Sequence, residues 1–555
     1  MRISHLLASC QVPLLTALAA YCPPLGPVFP PPKNLSTSAS FKISLASLEA
    51  SIVDALSTSN TSHGPINSSD TYSIQLFSTS DEKPLLDIHH RGQGVVGNRS
   101  IDGDSIYRIA STTKLITVYL LLLAGGDGIF DDPVTRYLPE LAGKGHWDEI
   151  TIGSLAGYLS GITADAYDIT GISGGGLGAA FPGVFPELSP EEISPCALGE
   201  GGCTKEAFLN HAATRRPFAL PNTTPSYSNT GFVVLGLVLE AMTGLSYADN
   251  MSKLLGDPLK LLSTTTNAGD ADTSRGVIVG SPSDPITGWN ATLDGVGIGM
   301  GALYSSPNDM SSIGRAILSA SLLSANTTRA WLRPTSHTSS LIGAVGWGWE
   351  IFRSTLGPPE NNRVVDLYTK GGNYGGYGAN FVLLPDYNVG FVAMMAGRRG
   401  RVPYELSGLI VDLLIPALDE AGRTNTDTNF AGTYRAKDNV NSTLKLSTAA
   451  GVPGMIIEQW VANGTDVVEA IFGSPKTFQM YPTNIKSEDG SKHSWRSSYI
   501  SLNDFGAFSA CPSWVVFDRP TYGVYGLDEF EFNLDKDGKA TAVEPKAMKQ
   551  MLLRE

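Results

Sequence analysis

Patterns that hold metals are missing from this chain. Its 555 residues include eight histidines and five cysteines; none has zinc-ligand spacing and no His-Glu-x-x-His occurs, so a zinc hydrolase is excluded and no metal or other cofactor is expected. Charge is sparse too, at 17% of residues, and 39 Lys+Arg against 53 Asp+Glu give a net charge of −14. Without a basic run interleaved with aromatics, nucleic acid is excluded as a partner. No apolar run has the length and flanks of a membrane span, and no internal repeat is found. Neither Gly297-Ile-Gly299 nor the glycine run after Lys370 ends in Gly-Lys-Ser/Thr, which leaves phosphate binding unsupported.

What is present is a chain that folds. At 42% hydrophobic residues it is too apolar for disorder and too long for one core, so two or more globular units are expected. Residues 1–19 read as a signal peptide: Arg2, an apolar stretch, then Ala17-Leu18-Ala19. Ten Asn-x-Ser/Thr sequons, at Asn34, Asn60, Asn67, Asn98, Asn222, Asn250, Asn290, Asn326, Asn441 and Asn463, fit a secreted glycoprotein. Removal of the leader with Cys10 leaves four cysteines. Closeness in sequence favours a disulfide between Cys196 and Cys203, leaving Cys22 to pair with Cys511.

Residues 20–42 read as a Pro/Ser-rich linker, and helical periodicity begins at residue 43. Strands are predicted at residues 72–77 and 85–89, and an apolar helix at 113–124 closed by Gly125-Gly126. Helical patterns return at 231–243 and 309–318, and residues 380–395 hold two strand-like runs around Pro385-Asp386. Between them, residues 164–205 are Gly- and Pro-rich, as in a lid or an exposed decoration. From residue 429 short alternating strands take over, ending in the hairpin turn Asp535-Lys-Asp-Gly538, which marks a separate all-β unit over 429–555.

A serine hydroxyl is a weak nucleophile near neutral pH and needs a base within hydrogen-bond reach. Ser-x-x-Lys at a helix start puts hydroxyl and amine on one face, one turn apart. The pattern occurs three times: Ser80 with Lys83, Ser111 with Lys114, and Ser442 with Lys445. Only Ser111, after Tyr107-Arg-Ile-Ala, opens an apolar helix that buries the lysine stem. A second element is Tyr227-Ser-Asn229, whose phenol can relay a proton and whose amide can hold an acyl side chain or cap the next helix. A third is Lys370-Gly371-Gly372, where missing side chains let backbone approach a substrate.

In this order the three elements resemble the motifs of the serine β-lactamase and penicillin-binding-protein superfamily, particularly its class C-like branch of esterases, D-amino-acid peptidases and metabolite acyltransferases. Leu155-Ala-Gly-Tyr-Leu-Ser-Gly161, Gly301-Ala-Leu-Tyr-Ser-Ser-Pro-Asn-Asp309 and Gly346-Trp-Gly-Trp349 are similar to further family segments. The resemblance implies an α+β fold: a β-lactamase/transpeptidase-like domain over 43–425, with an antiparallel sheet flanked by helices plus a helical subdomain, then a C-terminal lipocalin-like domain. It implies Ser111 as the acylated nucleophile, Lys114 as its base, Tyr227 as proton relay and Lys370 as the partner of Tyr227. Asn229, Gly371, Gly372 and Asn373 would then line the substrate, with the amides of Ser111 and Asn373 as oxyanion hole. Tyr158 stands where the family usually has His or Thr. Gly371 stands where it usually has a hydroxyl residue that helps bind a carboxylate, which moves the expected substrate from β-lactams toward other esters or amides, small or peptidic.

Hydrolysis and acyl transfer share the acyl-enzyme and differ in what resolves it, and a non-catalytic binding protein on the same scaffold would have lost Ser111, Lys114 or Tyr227. A rival nucleophile, Ser173 in Gly171-Ile-Ser173-Gly-Gly175, matches the α/β-hydrolase elbow but lacks the buried strand before it and the helix after it. Oligomeric state is not legible.

Overall fold

The computed structural model describes residues 21–168, 180–196, 203–284, 286–291, 293, 295–357, 363–437, 441–501 and 511–555. The predicted leader and Ser173 with its glycines lie outside them. Two compact units are formed: Pro31–Ser354 with Val365–Ala421, and the described residues of Met1–Pro30, Thr355–Val364 and Gly422–Glu555.

The larger unit is built on an antiparallel sheet of eight strands. In chain order these are β1 (Thr71–Ser78), β2 (Leu86–His90), β3 (Ser336–His337), β4 (Gly343–Val345), β5 (Glu350–Leu356), β6 (Arg363–Tyr374), β7 (Tyr377–Leu384) and β8 (Val389–Ala396). Their spatial order is β2-β1-β8-β7-β6-β5-β4-β3. Every residue of β1, β7 and β8 is buried, which is why they read as near-continuous apolar runs: both faces of the sheet are covered. Helix α1 (Ala39–Thr58) is capped by the Ser38 side chain, so the end of the expected linker is already helical.

Helices α2 (Thr113–Gly125) and α3 (Asn229–Thr243) bury nearly their whole circumference, as helices at the centre of a core do. Helix α4 (Pro307–Leu318) packs on β8 and β1. At Gly314 it comes so close that a β-carbon would stand 2.2 Å from the Phe77 ring and 3.2 Å from Phe381. Helix α5 (Tyr404–Phe430) follows the sheet. Among the described residues no single helix is long and apolar enough to cross a membrane.

The smaller unit is a closed barrel. Its strands β9 (Gly432–Ala436), β10 (Thr443–Ser447), β11 (Met455–Ala462), β12 (Gln479–Lys486), β13 (Lys492–Ser498), β14 (Glu529–Leu534), β15 (Ala540–Pro545) and β16 (Leu552–Arg554) pair antiparallel in sequence order. β16 then pairs with β9 and closes the ring, the up-and-down topology of a lipocalin-like barrel. The core is filled by large side chains: Trp460, Trp495, Phe530 and Phe532 are buried together, with ring centroids 5.0–5.7 Å apart in the pairs Trp460–Phe530 and Trp495–Phe532.

The structure joins Cys22 to Cys511 and Cys196 to Cys203. Of the sequons, Asn250 must be corrected: it is 1% exposed, and its Nδ2, the atom a glycan would occupy, donates to Thr243 Oγ1 and to the carbonyls of Leu245 and Ser246. Its Asn-x-Ser pattern is structural. The other nine asparagines are exposed.

Gly314→Ala is expected to destabilise the larger unit by about 1–3 kcal/mol, the usual cost of forcing an extra carbon into a packed core, read as a lower urea midpoint in equilibrium unfolding.

Candidate active site

Ser111 lies in a 3₁₀ turn, Ala110–Thr112, that runs into α2. Ala110 before it has φ +45°, a left-handed conformation that costs a non-glycine residue about 1–2 kcal/mol and turns the serine out of the entering strand. The frame around it is rigid. Tyr107 and Arg108 pair with Ser305 and Tyr304, and the Ile109 amide donates to the Leu303 carbonyl at 3.0 Å. Arg108 is buried and lies between the rings of Tyr304 and Tyr374, 5.0 and 4.8 Å from their centroids. Its guanidinium donates to the carbonyls of Gly288, Trp289 and Ala291. This cation ties the strand before Ser111 to the far end of β6.

Lys114, one turn along α2, is fully buried. Its Nζ stands 3.0 Å from Ser111 Oγ, 2.7 Å from Asn229 Oδ1 and 2.6 Å from the Met300 carbonyl. Asn229 Nδ2 donates to Asp165 Oδ1 at 2.8 Å, which fixes the amide with its oxygen toward the lysine. The Asn229 amide thus positions Lys114, and because Nδ2 carries a second hydrogen it is not barred from the expected role of substrate ligand. It is not the helix cap: Ser228 fills that role, accepting from the Gly231 amide.

The Tyr227 ring lies 5.0 Å from Lys114 Nζ and 5.3 Å from Lys370 Nζ, and it stacks on Tyr158 with centroids 5.6 Å apart. Lys370, on β6, is 1% exposed. Its Nζ pairs with Glu350 Oε1 at 2.7 Å and donates to the Gly371 carbonyl at 2.6 Å, while Glu350 Oε2 accepts from the Gly371 amide at 3.1 Å. Gly372 backs onto the nucleophile turn: a β-carbon there would lie 2.1 Å from the Ile109 carbonyl oxygen and 2.9 Å from the Thr112 nitrogen. Thr112 Oγ1 also donates to the Lys370 carbonyl at 3.2 Å. Asn373 is exposed and donates to the Tyr377 carbonyl.

Two lysines placed together each favour the neutral form of the other. The structure divides them. Burial, reinforced by the charge of Lys370, outweighs the opposing pull of Tyr227 and Glu350 and holds Lys114 below the ordinary lysine range. Burial also opposes the charge on Lys370, but the Glu350 carboxylate and Tyr227 outweigh it and push Lys370 up. Burial raises the Tyr227 phenol, yet the charges of Lys114 and Lys370, with hydrogen bonds to Lys114 and Ser111, bring it below its ordinary value.

Ser111, Lys114, Tyr227, Asn229, Lys370, Gly371 and Gly372 thus meet in one place. The other Ser-x-x-Lys matches do not join them: Ser80 Oγ donates to Asp81, and Ser442 is buried in the barrel unit, where Lys445 pairs with Glu458. Sequence reading passed over Arg108, Asp165 and Glu350. Glu350 is the residue after Gly346-Trp-Gly-Trp349, and only the register of β5 against β6 brings it to Lys370.

The beta-lactamase family profile matches residues 68–410, and a second profile, "Beta-lactamase-like-like, C-terminal domain", matches residues 422–555. The chain belongs to the beta-lactamase family. It is 30% identical to the "Beta-lactamase-like protein" of Arthroderma benhamiae, over 96% of this chain and 95% of that one. It is 26% identical to the "D-alanyl-D-alanine-carboxypeptidase/endopeptidase AmpH" of Escherichia coli, over 52% of this chain and 70% of that one. Among solved structures, a beta-lactamase/D-alanine carboxypeptidase from Pseudomonas syringae aligns with a TM-score of 0.49 at 14% identity, covering 67% of this chain and 98% of that one.

Gly372→Ala drives a carbon into backbone atoms that have no room to yield, whereas Gly371→Ala meets first the end of the Tyr404 side chain, 2.8 Å away. Thermal unfolding is expected to show the larger loss for Gly372→Ala, by several degrees for about 1–3 kcal/mol.

Proposed function

We propose that this chain is a serine hydrolase that cleaves an ester or amide through an acyl-enzyme on Ser111. The observation that carries the reading is the surroundings of Lys114 Nζ. As a neutral amine it has two hydrogens, and two acceptors fixed in place, Asn229 Oδ1 and the Met300 carbonyl, stand ready for them. The lone pair is then left facing the Ser111 hydroxyl at 3.0 Å, where it can take the proton. Its low proton affinity supports this role, since the neutral amine is the form that acts as base.

Attack by Ser111 Oγ forms the Oγ–C bond and opens the carbonyl to a tetrahedral oxyanion, for which the amides of Ser111 and Asn373 are the proposed donors. The serine proton passes to Lys114, and Tyr227, poised between the two lysines, hands a proton to the leaving alcohol or amine as the C–O or C–N bond breaks. Lys370, held charged by Glu350, favours the phenolate form of Tyr227 between transfers. Water then attacks the acyl-enzyme with the same groups run in reverse. Secretion, which the leader and sequons imply, and the two disulfides are compatible with work outside the cell.

Ser111→Ala is expected to abolish covalent labelling by a fluorophosphonate probe, read by intact mass; undiminished labelling removes Ser111 from the mechanism. In the unmutated chain the labelling rate should rise with pH as Lys114 deprotonates, with a midpoint below the ordinary lysine range. Lys370→Ala removes a charge that lowers Lys114, so the midpoint should move to higher pH.

A further inference from the structure

We propose that Glu350 determines the charge specificity of this site: its carboxylate occupies the anion position beside the nucleophile from the protein's own side, so the site takes acyl donors that are uncharged or cationic and rejects those that carry a carboxylate. The inference rests on the acyl-Ser111 reading and goes beyond it in naming the substrate class.

An anionic group of an acyl donor lying along β6 next to Ser111 needs a cation and a backbone donor there. The nearest are Lys370 Nζ and the Gly371 amide, and one side chain takes both, Glu350 Oε1 at 2.7 Å and Oε2 at 3.1 Å. Glu350 is not sealed away. Its side chain keeps 24% of its surface exposed while its partner Lys370 keeps 1%, so of this ion pair it is the glutamate that is accessible and not the lysine. Lys114, the other lysine of the cluster, is fully buried, engaged by Asn229 and Met300, and neutral in its working form. A carboxylate brought to this wall meets a like charge, with both lysines of the cluster buried and engaged.

The groups around Glu350 extend the same chemistry. The Tyr404 hydroxyl stands 2.8 Å from the point where a side chain on Gly371 would begin, so a phenol from the start of α5 fills the space next to the third motif. Tyr404 and Tyr158 are both pushed up, by burial first and then by the charges of Glu350 and Tyr227, and stay neutral. The Tyr158 hydroxyl is buried, whereas Tyr404 is exposed. The wall therefore offers one carboxylate and the neutral Tyr404 hydroxyl, which suits an amide, a hydroxyl or an ammonium on the substrate.

The test compares two esters with one leaving group, p-nitrophenyl butyrate and the p-nitrophenyl monoester of glutaric acid, on the full chain, with acylation of Ser111 followed by intact mass. The unmutated protein is expected to favour the butyrate in kcat/KM by about tenfold or more after correction for the esters' hydroxide hydrolysis rates. Glu350→Gln should narrow that ratio by about tenfold, and Glu350→Asp, which keeps the charge, should hold it within about threefold. Equal rates on both esters in the unmutated protein, or a Glu350→Gln variant that loses both activities in proportion, would overturn the proposal and leave Glu350 only as the partner of Lys370. Acylation of Ser111 without charge discrimination defeats this inference alone. No acylation by either ester defeats the acyl-Ser111 reading and this inference with it.

Discussion

The site depends on one buried amine. Lys114 enters the core on the first turn of α2, and everything that matters about it follows from what replaces water around Nζ: one side-chain amide, one main-chain carbonyl and the serine hydroxyl. A charge in that position is costly, and the cost is what holds the amine below the ordinary lysine range. The surrounding construction keeps those acceptors where they are. Asp165 fixes the rotation of the Asn229 amide, Ser228 fixes the start of α3, and the left-handed Ala110 and buried Arg108 fix the turn that carries the hydroxyl.

The second lysine shows how one carboxylate changes a pair of like groups into two different ones. Without Glu350, Lys114 and Lys370 would both be buried cations facing the same phenol, each disfavouring the other. With it, Lys370 is charged by direct pairing while Lys114 has no carboxylate in contact and burial prevails there, and Tyr227 stands between a fixed cation and a variable one. The difference in proton affinity between the two lysines thus comes from a residue in neither motif.

Most of the architecture was legible because burial writes itself into composition. The runs of β7 and β8, the all-apolar α2 and the alternation of β14, where Phe530 and Phe532 point inward, follow from how many faces each element covers. The three motifs were legible because Ser-x-x-Lys on a helix start fixes its own geometry. What stayed hidden are contacts made by register and by tertiary approach. Glu350 meets Lys370 across two strands, Asp165 meets Asn229 from 64 residues away, and nothing local separates the structural Asn250 from the nine exposed sequons. Asn229 carried two readings, cap and ligand; the neighbouring serine took the cap, and the fold adds a contact to Lys114 that neither reading included.

The Gly/Pro-rich insertion is rooted at the site by a narrow neck. The Ala166 amide donates to Thr230 Oγ1 and Ser194 Oγ donates to the Ala166 carbonyl, while the Asp168 amide donates to the Cys196 carbonyl. Asp165, which orients Asn229, is the residue just before this neck. A segment anchored in this way is a cassette: its body can lengthen, shorten or change composition at little entropic cost once its ends are joined, while the residues at its base are answerable to the amine of Lys114. Change within the insertion and change in the residues that hold Lys114 are then separable within one chain, with the boundary between them falling at Asp165.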